Sequence, residues 1–348
     1  MKKLSHKEYF ELYDKKLQDA YFSDAQLLPD DSVIKCRFLE LRKTLHRLNK
    51  ESDRFFRYTI RSGIDRTLED HPDLIKYIDG NGKDCLLYCL DNDLPHAVYA
   101  TALNLPQEKV DLALMFYASD SYGSFGFYSD KIPHSSPVSA FLINQGKADP
   151  QAVIETEMPC INDKEKKEIV QNTPLMYFLE KNSDKKNKPF IPSPDRFPEF
   201  YEGCPFTLKN PQGETLFSLL IKRRLYTVAD ELLTLMSETL SPEEMNKAIN
   251  MPRVDAHFRK IERQYGLASE RSLFVEGNTR KAGNIGDNRE KMRDFKEKIH
   301  NVYKKNQEAI AENKKAEKKA LKQSQTQKSQ ETVTKKVVEL YQPNLFDF

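Results

Sequence analysis

The chain has 348 residues, with 55 Lys and Arg against 53 Asp and Glu, a formal net charge of +2. That length holds one large or two modest domains, and the charge balance excludes a global pull towards nucleic acid or an anionic membrane, so any basic footprint must be local. No apolar run approaches the ~18 residues a bilayer-spanning helix needs, and the first residues read as a charged amphipathic start, not a cleavable secretion signal. Five scattered cysteines, Cys36, Cys85, Cys89, Cys160 and Cys204, argue for a reducing compartment over a disulfide framework.

Residues 1–70 are expected to form an N-terminal helical region. Tyr9, Phe10, Tyr13 and Leu17 mark a first amphipathic helix. After a break at Pro29, Asp30 and Asp31, Ser32 stands where its hydroxyl can cap a second helix reaching about residue 49. Val33, Cys36, Leu41, Leu45 and Leu48 recur there near helical spacing. A third helix is expected from about residue 51 to 64, with Gly63 weakening its end.

Residues 71–250 repeat a pattern of a Gly-, Pro-, Asn- or Asp-rich turn followed by a short apolar helix. Four stretches carry it: Asp79-Gly80-Asn81-Gly82-Lys83-Asp84-Cys85-Leu86, Ser135-Ser136-Pro137-Val138, Asn172-Thr173-Pro174-Leu175 and Asn210-Pro211-Gln212-Gly213-Glu214-Thr215-Leu216. A worn fifth unit is expected around Val110 to Phe116, and a loop at Gly146-Lys147-Ala148-Asp149-Pro150 leads on from the second unit. A Thr or Asp caps the helix, Pro fits its first turn, and Leu makes the first core contact.

These residues resemble the ankyrin repeat, which pairs a Thr-Pro-Leu helix start with a later Gly-Ala-Asp-Pro loop. The resemblance covers about half the chain. It implies an all-α fold: an ankyrin-like helical repeat stack, in which units that cannot bury their apolar faces alone share a continuous core. The matching positions at 86, 138, 175 and 216 depart from the family period of ~33, so long insertions are expected, notably over residues 182–203.

Residues 251–286 read as a linker region, with Gly277, Gly283 and Gly286 near its end. Residues 287–322 form a charged, solvated helix in which Asp294 with Lys298 and Lys304 with Glu308 are favourable i,i+4 pairs. Residues 323–348 read as a disordered tail with an apolar terminal motif.

The sequence holds no Gly-rich phosphate loop, His-Glu-x-x-His, Gly-x-Ser-x-Gly or paired-Cys zinc spacing. The expectation is therefore a non-enzyme without metal or cofactor, and Cys89 with His96 reads as a packed thiol and a loop histidine. Partner contacts are expected at the turn tips Lys83 and Gln212 and at the aromatics Tyr122, Phe125 and Phe127. Gln342, Leu345 and Phe346 resemble the pentapeptide by which bacterial proteins dock on the DNA sliding clamp, with Pro343 departing from the usual Leu.

The tail also resembles, in composition, those of bacterial type IV secreted effectors, which suits an ankyrin-like body without a cleavable signal. The main expectation is a protein–protein interaction scaffold. It would be cytoplasmic or delivered into a host cell, there to act on a host protein. The alternatives are an adaptor that binds a sliding clamp or nucleic acid through its Lys-rich helix and tail, and an enzyme with an unrecognised site in the insertions.

Overall fold

A computed structural model describes residues 5–30, 32–92, 94–120, 147–160, 163–181, 191–273 and 279–340. Helices dominate them. α1 (His6–Tyr21) opens on a capping box: Ser5 Oγ accepts from Glu8 N while the Glu8 carboxylate accepts from Ser5 N at 2.8 Å. Its buried face is Tyr9, Tyr13, Leu17 and Tyr21, the four-residue spacing that one helical stripe requires.

α2 (Ser32–Lys50) buries Phe38, Leu41, Leu45 and Leu48 but leaves Val33 and Cys36 exposed. That corrects the expected face. At ~100° per residue Cys36 points well away from Leu41 and Leu45. α3 (Arg54–Asp70) is capped by Asp53 and runs past Gly63, with Ile64 and Leu68 as its buried residues. A two-residue parallel pairing joins β1 (Gln26–Leu27) to β2 (Tyr77–Ile78).

α4 (Cys85–Asp91), α5 (Pro95–Ala102) and α6 (Gln107–Asp120) follow. The expected fifth unit falls inside α6. Beyond the turn at 147–153, β3 (Ile154–Cys160) and β4 (Asp163–Asn172) form an antiparallel hairpin, which departs from the all-α expectation. Its cause is local alternation: Met158 and Val170 turn into the core while Glu155, Glu157 and Ile169 face solvent. The fold is thus mostly helical rather than wholly so.

α7 (Pro174–Lys181) packs on α6 and on α8 (Leu216–Lys222), and α8 on α9 (Tyr226–Thr239). α10 (Pro242–Ile249) and α11 (Met251–Leu273) continue the layer. α11 corrects the expected linker over its first part, because Met251, Val254, Phe258 and Ile261 form a buried stripe. The long α12 (Thr279–Leu340) is not fully solvated: Met292, Phe295 and Ile299 are buried where it packs on α10 and α11. Lys298 pairs with Asp230 of α9. The helix also runs on through residues 323–340, where a disordered tail was expected.

One apolar core runs from Tyr9 to Ile299, and α1, α2 and α3 contribute to it. Tyr21 Oη donates to Asp84 Oδ2 at 2.8 Å, Lys109 Nζ donates to Asp24 Oδ1 at 2.8 Å, and Tyr177 and Lys181 both donate to Asp14. The N-terminal helices therefore pack against the first turn and against α6 and α7. Among the described residues, no helix is long and apolar enough to cross a membrane.

Candidate partner-binding surface

Two of the predicted turns have one hydrogen-bond design, 131 positions apart. Asp79 N donates to Lys83 O at 3.0 Å, and Asn210 N donates to Glu214 O at 2.9 Å. The Oδ1 atoms of Asp79 and Asn210 each accept two amides: Asn81 and Lys83 in the first, Gln212 and Glu214 in the second. Gly82 and Gly213 take φ of +72° and +74°, a conformation that side chains resist. Asp84 then caps α4 through Leu87 N, and Thr215 caps α8 through Ser218 N.

The match continues through each helix. Leu94 N donates to Cys89 O and Leu225 N to Leu220 O, both at 3.0 Å, closing the helix end before α5 and α9 begin. In this register Phe217, not Leu216, is the counterpart of Leu86, and Leu216 takes the place of Cys85. Phe217 and Leu86 are both fully buried. A third cap, Thr173, accepts from Met176 N at the start of α7. The Ser135 to Val138 unit lies outside the described residues.

Each turn is gripped from a neighbouring element. Arg42 of α2 donates from Nη1 to Asp79 Oδ2 at 2.7 Å and from Nη2 to Lys83 O at 2.8 Å, and its guanidinium lies against the rings of Phe38 and Tyr88. Arg253 of α11 donates to Gln212 O. Thr215 Oγ1 donates to Ala248 O at 2.7 Å. The predicted contacts Lys83 and Gln212 are consequently half-buried and engaged within the chain. Lys83 pairs with Asp91, and Gln212 Oε1 accepts from Lys222 Nζ at 3.3 Å. The structure does not bring the two tips together; each serves its own turn.

A buried polar chain joins α7 to this second turn. Asn210 Nδ2 donates to Glu180 Oε2 at 3.2 Å, and Glu214 Oε2 accepts from Ser218 Oγ at 2.7 Å and lies 3.0 Å from His257 Nε2. Burial pushes the Glu180 carboxyl up to about 8, with Lys222 opposing and Glu214 reinforcing the shift. Burial also acts on Glu214, but His257, Ser218 and Lys222 outweigh it and hold that carboxyl below its usual range.

Cys85 and Cys89 share the buried face of α4, and burial pushes the Cys85 thiol up to about 12, the environment of an inert thiol. Cys89 sits against Thr101, while His96 faces Arg57 at 2.9 Å.

The surface feature that sequence reasoning missed is an apolar groove of about 550 Å³, lined chiefly by Pro198, Tyr201, Cys204, Phe206, Leu235 and Leu240. It lies between the segment leading into α8 and the C-terminal end of α9. That segment is pinned by Ser193 to Glu231 and by Cys204 Sγ to Gln151 Oε1 at 3.2 Å. Tyr201 Oη donates inward to Pro192 O at 2.7 Å, so the phenol is satisfied and its ring lines the groove. The only sequence signal was the length of the insertion near residues 182–203.

Tyr122, Phe125, Phe127, Gln342, Leu345 and Phe346 lie outside the described residues. Lys304, Lys305, Lys314, Lys315, Lys318 and Lys319 of α12 are exposed, with Lys314 3.4 Å from Glu243. Among the described residues, no cluster of three or more His, Cys, Asp or Glu stands close enough to hold a metal ion. Comparison of the chain with protein-family models, with curated proteins and with solved structures finds no match.

Proposed function

We propose that this protein is an interaction scaffold of ankyrin-like architecture, whose groove beside α9 receives an apolar side chain of a protein partner. The observation that carries the architecture is the recurrence of turn, cap and helix-end hydrogen bonds at a single offset of 131 positions, the repeated turn-and-helix start of stacked units. The groove supplies what a partner anchor needs: apolar walls, a satisfied phenol, and a rim with Glu202 and Thr239 open to water. Under this reading the turn tips hold the stack together, and recognition falls to the insertion. The tail resemblance to secreted effectors adds a role on a host protein.

The test compares affinity capture by the full chain with capture by Leu235→Lys and by a chain ending at Gln323. Leu235 is only half-buried, so the substitution leaves the fold intact by circular dichroism. Loss of a specific partner from Leu235→Lys, with retention by the shortened chain, supports the groove. Equal capture by Leu235→Lys and the parent refutes it, and loss with the shortened chain moves recognition to the tail.

A further inference from the structure

The corner where α2 turns into α3 differs from the rest of the surface. Three aromatic rings within four positions stand in solvent: Phe55 is 73 % exposed, Phe56 56 % and Tyr58 70 %. The buried residues of α3, Ile64 and Leu68, lie about two to four turns further on, and the three rings are exposed, not part of its core face. Phe55 and Phe56 pack edge to face, with centroids 6.0 Å apart and planes at 76°. Asp53 Oδ1 accepts from both of their amides, at 2.7 and 3.2 Å, which fixes the helix start beneath them.

The corner is also basic. Residues 47–57 contain Arg47, Lys50, Arg54 and Arg57 against Glu51 and Asp53, a local net of +2, equal to that of the whole chain, while Arg61 further along pairs with Asp65 at 3.8 Å. Both acids are engaged within the backbone: Glu51 Oε1 accepts from Asp53 N at 3.1 Å, and Asp53 is the cap. Arg57 donates to Ser52 O at 2.9 Å, whereas Arg47, Lys50 and Arg54 are exposed.

Clustered apolar rings in water mark a contact surface. Rings bordered by cations match an interface in which hydrocarbon lies beneath anionic headgroups. We propose that this corner docks on the surface of an anionic lipid bilayer, with Phe55 and Phe56 entering the headgroup–acyl boundary and Arg47, Lys50 and Arg54 facing the phosphates. A nucleic acid would match the charge. Two rings packed edge to face, however, form a wedge and not the parallel platforms on which successive bases stack.

The experiment is co-sedimentation of the full chain with vesicles of mixed phosphatidylcholine and phosphatidylserine, and with pure phosphatidylcholine. The expected result is partition onto the mixed vesicles that weakens with salt and falls by about tenfold or more in Phe55→Ser/Phe56→Ser. The chain contains no Trp, so Phe56→Trp is a single reporter whose emission shifts to the blue on mixed vesicles. All of these positions are exposed, so unchanged circular dichroism and melting confirm folding. Absence of binding to mixed vesicles, binding indifferent to the double substitution, or an unshifted Trp overturns the proposal. Salt-sensitive binding of single-stranded DNA that is lost in the double variant, without vesicle binding, overturns it in favour of nucleic acid.

Discussion

Arg42→Met tests how the N-terminal helices hold the turn from Asp79 to Asp84. Arg42 is 8 % exposed, and the side chains of its ion pair with Asp79 are 10 % and 16 % exposed at 2.7 Å. Met keeps most of the packing between Phe38 and Tyr88 but leaves Asp79 without its cation and the Lys83 carbonyl with the Asp79 amide as its remaining donor. Breaking a buried pair from one side costs about 3–5 kcal/mol. Asp79 retains the amides of Asn81 and Lys83, which places the expected loss near the lower end, about 3 kcal/mol. That is a large share of the ~5–15 kcal/mol that stabilises a domain.

The assay is urea unfolding of the parent, Arg42→Met, Asp79→Asn and the double variant. The double variant should fall short of the summed losses by about 1 kcal/mol or more, because the second change removes the stranded charge. The pair also has a pH signature. Burial raises the Asp79 carboxyl, but Arg42 and the turn amides outweigh it and hold it below the usual range. Its contribution is therefore present above the unfolded pKa and lost as pH falls through the folded one. Arg42→Met should flatten that acid limb. A loss under about 1 kcal/mol, or strict additivity, would refute the clamp.

Glu180→Gln should flatten the alkaline side instead. With a folded pKa of about 8 against the ordinary 4.5, the neutral acid stabilises the fold below 4.5, and that stability drains away as pH rises to about 8, at up to about 1.4 kcal/mol per pH unit. Melting across this window should show the variant ahead of the parent at the alkaline end; parallel curves would contradict the assignment. Thr215→Ala removes both a cap and a buried donor to Ala248 O, and should cost about 2 kcal/mol in urea, with Thr215→Ser recovering most of it. Gly213→Ala should cost more than Gly82→Ala. Both need the left-handed conformation, but only at Gly213 would a new Cβ meet Arg253 Nη2 at 3.1 Å, while Gly82 has open space. Equal shifts in melting temperature would show that Arg253 yields freely.

The features legible in the sequence are those set by interactions within about four positions. The α1 stripe follows from spacing, the caps Asp84, Thr173 and Thr215 from a side chain reaching an amide three residues on, and the turns from Gly82 and Gly213. Even there one register escaped: the Leu216 that resembles a repeat leucine yields its place to Phe217, because the turn's hydrogen bonds, not residue type, count the positions. The stretch after Asn250 looked like a linker because its charge hides a narrow stripe, and only the packing against α8 and α12 shows why Met251, Val254, Phe258 and Ile261 are needed.

Tertiary structure alone decided that α1 to α3 pack on the repeat-like body, since that rests on contacts such as Tyr21 to Asp84 and Arg42 to Asp79 that span 63 and 37 positions. It alone created the groove, whose walls come from segments about one helix–turn–helix unit apart in sequence, and it left Phe55, Phe56 and Tyr58 in water when periodicity could only mark them as helical. Local sequence sets which amides are capped and which stripe is apolar; which stripe finds a partner depends on chain segments brought together by folding, and that information is not carried by any one window of residues.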